Sequence, residues 1–385
     1  MKALKIVFGF IAVLLITLIM IVTLGFNSAT FLEKGAAFAI EKSGLDIKIG
    51  EIKGGLYSGL EIKDFNYQDD VKADLKLDID FPSLKDGIVK VNEVNLSNLA
   101  IDKDFLASLI KPTEGNESTE KKGESFIKEI IVDKLHLDTR DIVYEEYILH
   151  SLVLDVNDFS FDMKEKFSGD IKAKIASNVA LADLDIKLSE GHYDVHLDAD
   201  VEKAFIEPYL KDTNITLEAV PHIMIDAVGD MENVVVDAKI GEGILYHNAI
   251  MISPKMIDLH ADVGIKSGDI KADAKADIDS DMAELLLNAD ATLNTNDINN
   301  TLLFSLNSQI EGHQEFVEKL LTDQNVTIVK LPSFSLEAKG DLKNVAFSTK
   351  LKEGEIHYES YKVFPKALDI VGNFDLVKQD LEAKL

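Results

Sequence analysis

Cysteine and tryptophan are both absent from this 385-residue chain, and basic residues are few, 40 against 68 acidic ones. Each shortage closes a class of function. Without cysteine there is no disulfide, no thiolate metal site and no cysteine nucleophile, while the redox compartment stays open. A formal charge of −28 leaves no basic footprint for a nucleic acid, so none is expected as a partner. The same charge repels anionic lipid headgroups and argues against adsorption through a polybasic patch. The missing tryptophan weakens any reading as an outer-membrane barrel, which carries aromatic girdles. No G-x-S-x-G, P-loop, H-E-x-x-H or Rossmann fingerprint is present. The chain is therefore not read as an enzyme, and no cofactor is expected.

What is present begins with one long apolar run. Residues 4–26, LKIVFGFIAVLLITLIMIVTLGF, carry Lys5 as their sole charge. That length suits a helix crossing a hydrocarbon core of roughly 30 Å. The run exceeds the apolar region of a cleaved signal, and Phe26-Asn27-Ser28-Ala29 is a poor cleavage site. Residues 1–27 are read as a single-pass anchor. Lys2 and Lys5 precede it, which puts the N-terminus in the cytoplasm and the body across the membrane. Residues 28–43 have helical spacing and form a membrane-proximal helix, with Ser28 as N-cap and Gly44 as stop.

From Gly44 onward the period is two. Val71, Ala73, Leu75, Leu77, Ile79 and Phe81 alternate with Lys72, Asp74, Lys76, Asp78 and Asp80. Such a run is a strand with one apolar and one charged face. Lys85-Asp86-Gly87 signals a hairpin, followed by Val89 and Val91. Residues 102–110 can form a short helix, and 111–125 are a polar loop inserted between sheet segments. Further strands are expected at 130–137, 141–147, 149–156, 159–163, 169–176, 182–189 and 194–201. The series continues through 215–218, 223–227, 233–240, 243–246, 256–265, 269–278 and 285–293, then 333–338, 345–351, 355–358, 367–371 and 372–376. Short helices are expected at 204–210, broken at Pro208, and at 314–321. The cleanest later alternations are Val195, Leu197, Ala199 and Val201, and Ile270, Ala272, Ala274, Ala276 and Ile278. No repeat period is apparent, which argues against a solenoid of identical units. The alternation through Leu381, Ala383 and Leu385 reaches the last residue without a turn, which predicts that the native chain continues.

Metal readings are weak. His192 and His196 lie about 13 Å apart along a strand, too far for one ion. Asp277, Asp279 and Asp281 imitate a calcium loop, but Met282 and Asn288 stand where that loop needs Gly and Glu. The sharper question is what the apolar faces touch, since almost no amphipathic helix is available to cover them. Stacked sandwiches and a curled, half-open trough both answer it, and periodicity does not choose between them.

The run from Gly54 to Tyr67, GGLYSGLEIKDFNY, resembles the early β-hairpin of the TamB branch of the AsmA-like family. So does the succession from the strand ending at Phe81 through Ser83-Leu84-Lys85-Asp86-Gly87 to Val89, Val91 and Leu96. The resemblance covers roughly residues 1–150. Two departures are Phe81, where relatives often carry Trp, and the lack of a visible TamB-type C-terminal domain. The resemblance implies a mainly β protein, an N-terminal transmembrane helix followed by a long, curled antiparallel sheet forming a taco-like apolar groove. Residues 44–110 would be the family-like segment and 126–385 the continuing groove. It implies an inner-membrane anchor and phospholipid acyl chains as cargo, carried across the periplasm between the two membranes. It also implies an outer-membrane barrel assembly protein as a further partner. The groove would be lined by Val71, Ala73, Leu75, Leu77, Ile79, Phe81, Val89, Val91 and the later alternating sets. The alternative is a scaffold that assists outer-membrane protein assembly by lending a sheet edge.

Overall fold

A computed structural model describes residues 47–55, 59–67, 70–101, 127–144, 147–162, 166–211, 213–321, 326–358, 361–365 and 368–384. The expected anchor, the helix at 28–43, the helix at 102–110 and the polar loop at 111–125 lie outside them. Among the described residues no helix is long and apolar enough to cross a membrane. The chain forms two compact units, Met1–His192 and Tyr193–Leu385.

The first unit is a sheet of β1 (Ile47–Lys48), β2 (Glu51–Gly55), β3 (Gly59–Tyr67), β4 (Val71–Asp80), β5 (Ile88–Ile101), β6 (Glu129–Tyr144), β7 (Tyr147–Asp162), β8 (Phe167–Ser177) and β9 (Ala180–Ser189). β1 and β2 lie along the two ends of β3, and from β3 to β9 each strand pairs with the next. One pair corrects the expectation of a wholly antiparallel sheet. β5 and β6 run parallel, with Val89 opposite Ile130 and Leu96 opposite Leu137. A parallel neighbour needs a crossover of a dozen or more residues, and alternation reads the same in either strand direction. The expected strand pairs 130–137 with 141–147 and 149–156 with 159–163 are single strands, β6 and β7. Each passes through one left-handed aspartate, Asp141 (φ 55) or Asp158 (φ 51), a conformation that aspartate tolerates better than most residues.

The core of this unit lies on β2 to β5. Ile52, Leu60, Val71, Ala73, Leu75, Leu77, Ile79, Val91, Leu96 and Leu99 are all at most 8% exposed. β4 keeps one phase throughout, whereas its neighbours bulge to follow it. β3 shifts register between Ile62 and Phe65, and the β4–β5 ladder shifts twice. Asp74 joins two of these irregularities. Its carboxylate accepts the backbone N–H of Asp64 at 3.0 Å and the side-chain amide of Asn98 at 2.7 Å. Both partners are left-handed, with φ 53 and 54. The chain between β4 and β5 is a 3-10 turn, Phe81–Asp86, closed by Gly87 at φ 80. Phe81 therefore sits on the turn, packed against the core, and not in the strand alternation.

The second unit has a main antiparallel sheet of eleven strands among the described residues. They are β10 (His192–Val201), β12 (His222–Gly229), β13 (Asn233–Ile240), β15 (Ile250–Gly264), β16 (Asp269–Ser280), β17 (Ala283–Asn294), β18 (Leu303–Gly312), β20 (Phe334–Gly340), β21 (Asn344–Leu351), β24 (Leu368–Asp375) and β25 (Asp380–Lys384), each paired with the next. Two small strand sets adjoin it. β11 (Ile215–Ala219) pairs with β14 (Ile244–His247), which joins the main sheet through the start of β15, and β19 (Val326–Lys330) pairs with β22 (Glu355–Tyr358) and, through it, β23 (Tyr361–Val363) as a separate sheet. Helices are short: α1 (Lys203–Leu210), α2 (Ile298–Thr301) and α3 (Gln314–Leu321). α1 runs through Pro208 instead of breaking there. In so short a helix the missing N–H forfeits a single backbone bond.

This unit contains a repeat, contrary to the sequence reading. The order strand, helix, side strand, two main strands, side strand, main strand occurs from β10 to β15 and again from β18 to β24, where the counterpart of β15 is divided into β23 and β24. The two copies are offset by 111 positions. Pro221, Ala227, Gly229, Asp230, Asn233, Val234, Gly243 and Pro254 recur as Pro332, Ala338, Gly340, Asp341, Asn344, Val345, Gly354 and Pro365. The retained residues make the turns. Asp230 accepts the backbone N–H groups of Glu232 and Asn233 at 2.7 and 2.9 Å, and Asp341 those of Lys343 and Asn344, both at 2.7 Å. A Cβ at Gly229 or Gly340 would strike the carbonyl oxygen of the turn asparagine. At Gly243 or Gly354 it would press on Pro221 or Pro332, at 3.0 and 2.9 Å from the ring Cδ. Leu217 and Ile328, also equivalent, are the buried residues of the side strands. Strand interiors share little beyond alternation, which hides the period.

Two outcomes are expected. Leu77→Ala, at a site 4% exposed, should destabilise the first unit by about 2–5 kcal/mol in denaturant unfolding. Deleting Asp230 to Gly340 joins Gly229 to Asp341 in register and should leave a cooperatively unfolding β protein by circular dichroism. A deletion one residue shorter, which slips the register and swaps the faces, should not.

Candidate functional site

The feature common to both units is the apolar face of the sheet. In the first unit the family-like residues form a closed core. Val71, Ala73, Leu75, Leu77, Ile79, Val89 and Val91 are 2–8% exposed. From β6 to β9 the face opens, and Thr139 and Ala173 are the buried residues there among those described. The Thr139 hydroxyl donates to the Leu99 carbonyl at 2.5 Å, which satisfies it.

The second unit is more open. Val195, Leu197 and Ala199 on β10 share a face with Ile270, Ala272, Ala274, Ala276 and Ile278 on β16, with β12, β13 and β15 between them. Val201 ends β10. Except for Ala199, all of these are partly exposed. One transverse row runs Val195, Ala227, Val236, Ala261, Ala272, Ala291, Phe304, Gly340, Val345, Phe374, Leu381. It crosses all eleven strands without a polar side chain, over ten inter-strand spacings or about 48 Å. Leu259, Leu368 and Leu381 face this side and are 41, 41 and 56% exposed. Sequence reasoning passed over β12, β13, β15 and β17 as lining elements, since their alternation is less clean than in β10 and β16, and did not read β18 as a strand at all, its apolar face being broken by Ser308.

The row one position along is its opposite. His196, Asp226, Asp237, His260, Asp273 and Asp290 stand side by side on six adjacent strands. Like charges opposite one another destabilise a sheet, and the histidines relieve them. His196 Nδ1 lies 2.7 Å from Asp226, His260 Nδ1 2.7 Å from Asp237, and His222 Nδ1 2.8 Å from Asp200. His192 and His196 are both exposed, and His196 is turned to a carboxylate on the next strand. The expected calcium-loop imitation is a strand end and turn, where Asp281 accepts the Met251 N–H at 2.8 Å. Among the described residues no group of three His, Asp or Glu side chains is placed to hold a metal ion. An open cleft of 460 Å³ beside α1 is lined by Glu207, Leu210, Lys211, Asn214 and Tyr246 among others, a set without a nucleophile–base pair.

Comparisons with protein-family models, with curated proteins and with solved structures return no match. The resemblance to the TamB branch rests on the residues quoted for it.

The histidine pairs give a pH dependence. The Asp200 hydrogen bond, helped by Asp198, raises the His222 pKa above 6.5. The Asp237 hydrogen bond raises that of His260, with Asp273 on β16 and Asp262 on its own strand adding to it. A raised folded pKa stabilises fully below the unfolded value and is lost as pH climbs through the folded one. The thermal midpoint of the parent should therefore exceed that of the H222Q/H260Q variant more at pH 5.5 than at pH 8.5. Ring proton titration by NMR should place both pKa values above 6.5.

Proposed function

We propose that this protein is an inner-membrane-anchored periplasmic lipid conduit, which shields phospholipid acyl chains from water along the apolar face of its sheet and supports outer-membrane biogenesis. The observation that carries this reading is the unbroken apolar row across eleven strands, partly exposed and backed on the opposite face, over six of those strands, by a row of Asp and His. A soluble sheet with no cargo gains nothing from such a face, whereas each methylene moved onto it from water is worth about 0.8 kcal/mol. The apolar run at 4–26 with its leading lysines supports anchoring, with the N-terminus cytoplasmic and the body periplasmic. No residue constellation calls for an enzyme. Headgroups would stay at the polar margin, where the charged face keeps the sheet wet and discourages edge pairing.

The test is lipid copurification and transfer. The full chain, extracted and purified, should carry phospholipid by mass spectrometry and move it between vesicles. Leu259→Asp puts a charge on the exposed apolar face and should cut bound lipid about tenfold, since an unpaired charge facing an acyl chain costs more than 1.4 kcal/mol. A protein free of lipid that instead captures an outer-membrane barrel assembly partner would favour the scaffold.

A further inference from the structure

The open cleft beside α1 is built by the joint that carries the chain from β10 through the helix into β11. Thr213 ends the helix, donating its backbone N–H and its hydroxyl to the Leu210 carbonyl at 2.9 and 2.7 Å. β11 then pairs with β14, with Thr216 directly opposite Tyr246 and the buried Leu217 opposite Leu245. Past the end of that ladder, Asn248 donates its backbone N–H to the Asn214 carbonyl at 3.2 Å. Asn214 and Asn248 therefore lie next along from Thr216 and Tyr246, and all four line the cleft. The Glu218 carboxylate beside Tyr246 pushes its hydroxyl pKa above 10, so the phenol keeps its proton as a donor. The turn from β14 to β15 holds Asn248 at φ 50 and Ala249 at φ 66. A left-handed alanine is uncommon and costs energy.

Two observations separate this cleft from an ordinary dent in the surface. Its volume, 460 Å³, falls in the range of about 300–1,000 Å³ typical of small-molecule sites. Its polar lining also recurs. The offset of 111 positions equates Glu207, Asn214 and Thr216 with Glu318, Asn325 and Thr327. Packing accounts for the recurrence of Phe205 and Leu210 as Phe316 and Leu321. It does not account for Asn214 and Thr216, which are exposed and whose side chains have no hydrogen-bond partner among the described residues. The groups on offer are amides and hydroxyls, which both donate and accept. The charged residues at the cleft, Glu207 and Lys211, are of opposite sign, and Leu210 and Ile215 add apolar surface. A sugar ring matches this set, with hydroxyls that donate and accept, no charge, and an apolar C–H face.

We propose that the cleft bounded by α1, β11 and the β14–β15 turn binds a neutral carbohydrate, with Asn214, Thr216, Tyr246 and Asn248 bonding its hydroxyls and Leu210 and Ile215 meeting the C–H face of a ring. The site goes beyond the lipid reading above and does not depend on it. An anionic ligand is disfavoured, because Lys211 is balanced by Glu207 and the chain carries a charge of −28.

The test uses the full chain in a detergent without a sugar headgroup. Saturation-transfer NMR titrations with maltotriose, cellotriose and triacetylchitotriose are run beside trialanine and inorganic phosphate. At least one saccharide should bind, and more tightly than the peptide or the anion. N214A/T216V removes two hydrogen-bonding groups and should weaken that binding about tenfold. If the double variant loses its strand signal in circular dichroism, Tyr246→Phe, which keeps the ring and drops the hydroxyl, carries the same comparison. Undiminished saccharide binding by a folded variant overturns the cleft as the site. Tighter binding of phosphate or of trialanine than of every saccharide overturns the ligand class. Absence of saccharide binding by the parent overturns the proposal. Each of these results leaves the lipid reading standing, since bound phospholipid is measured separately.

Discussion

A β-strand sends successive side chains to opposite faces, and a ladder of paired strands keeps those faces aligned only while register is kept. The rest of this protein depends on that constraint. In the second unit nine of the ten successive antiparallel ladders run without a register shift and the tenth, β15–β16, shifts once at Pro254/Met256, clear of the row, so Val195 and Leu381, far apart in sequence, belong to one apolar row. The adjacent row collects His196, Asp226, Asp237, His260, Asp273 and Asp290 by the same rule. A one-residue slip anywhere would bring carboxylates to the apolar side. The His–Asp contacts across strands oppose such a slip from the wet face.

The first unit meets the constraint differently. Its strands change phase at bulges, and several of these fall at a left-handed Asp or Asn, namely Asp64, Asn98 and Asp158. Asp74 ties two of these points together through Asp64 and Asn98. With the bulges in place, β2 to β5 gather their apolar residues into a closed core, and β4 never leaves phase. The residues most like a lipid-facing strand in sequence are therefore the best buried. Putting aspartate at Leu75, Leu77 or Ile79 would break a core; Leu259 is the informative place to disturb a surface.

The repeat shows which positions are costly to change in such a sheet. Between β10–β15 and β18–β24 the strand interiors diverge freely, because any apolar residue serves on one face and any polar residue on the other. The residues that shape the turns do not diverge, although Met231 and Glu232 become Leu342 and Lys343 between them. Gly229 and Gly340 have no room for a Cβ, and Asp230 and Asp341 satisfy backbone N–H groups that the turn would otherwise leave unpaired. The identity that marks the duplication is densest at these sites, with a few more in the helix such as Phe205/Phe316 and Leu210/Leu321, and is swamped by alternation elsewhere.

By itself the sequence determined the mainly β class, most strand positions, the short helices at α1 and α3, and which face of each strand is apolar. These are local properties, set by period-two patterning and by turn residues such as Gly87. Three matters were decided only in three dimensions. They are the parallel join of β5 to β6, the phase shifts of the first unit, and the burial of β4 against the openness of β16. Alternation states that a strand has two faces, but not which strand lies beside it, in which direction, or how tall its neighbours' side chains stand. Those come from pairing between residues distant in the chain, and they separate a buried core from an exposed apolar face.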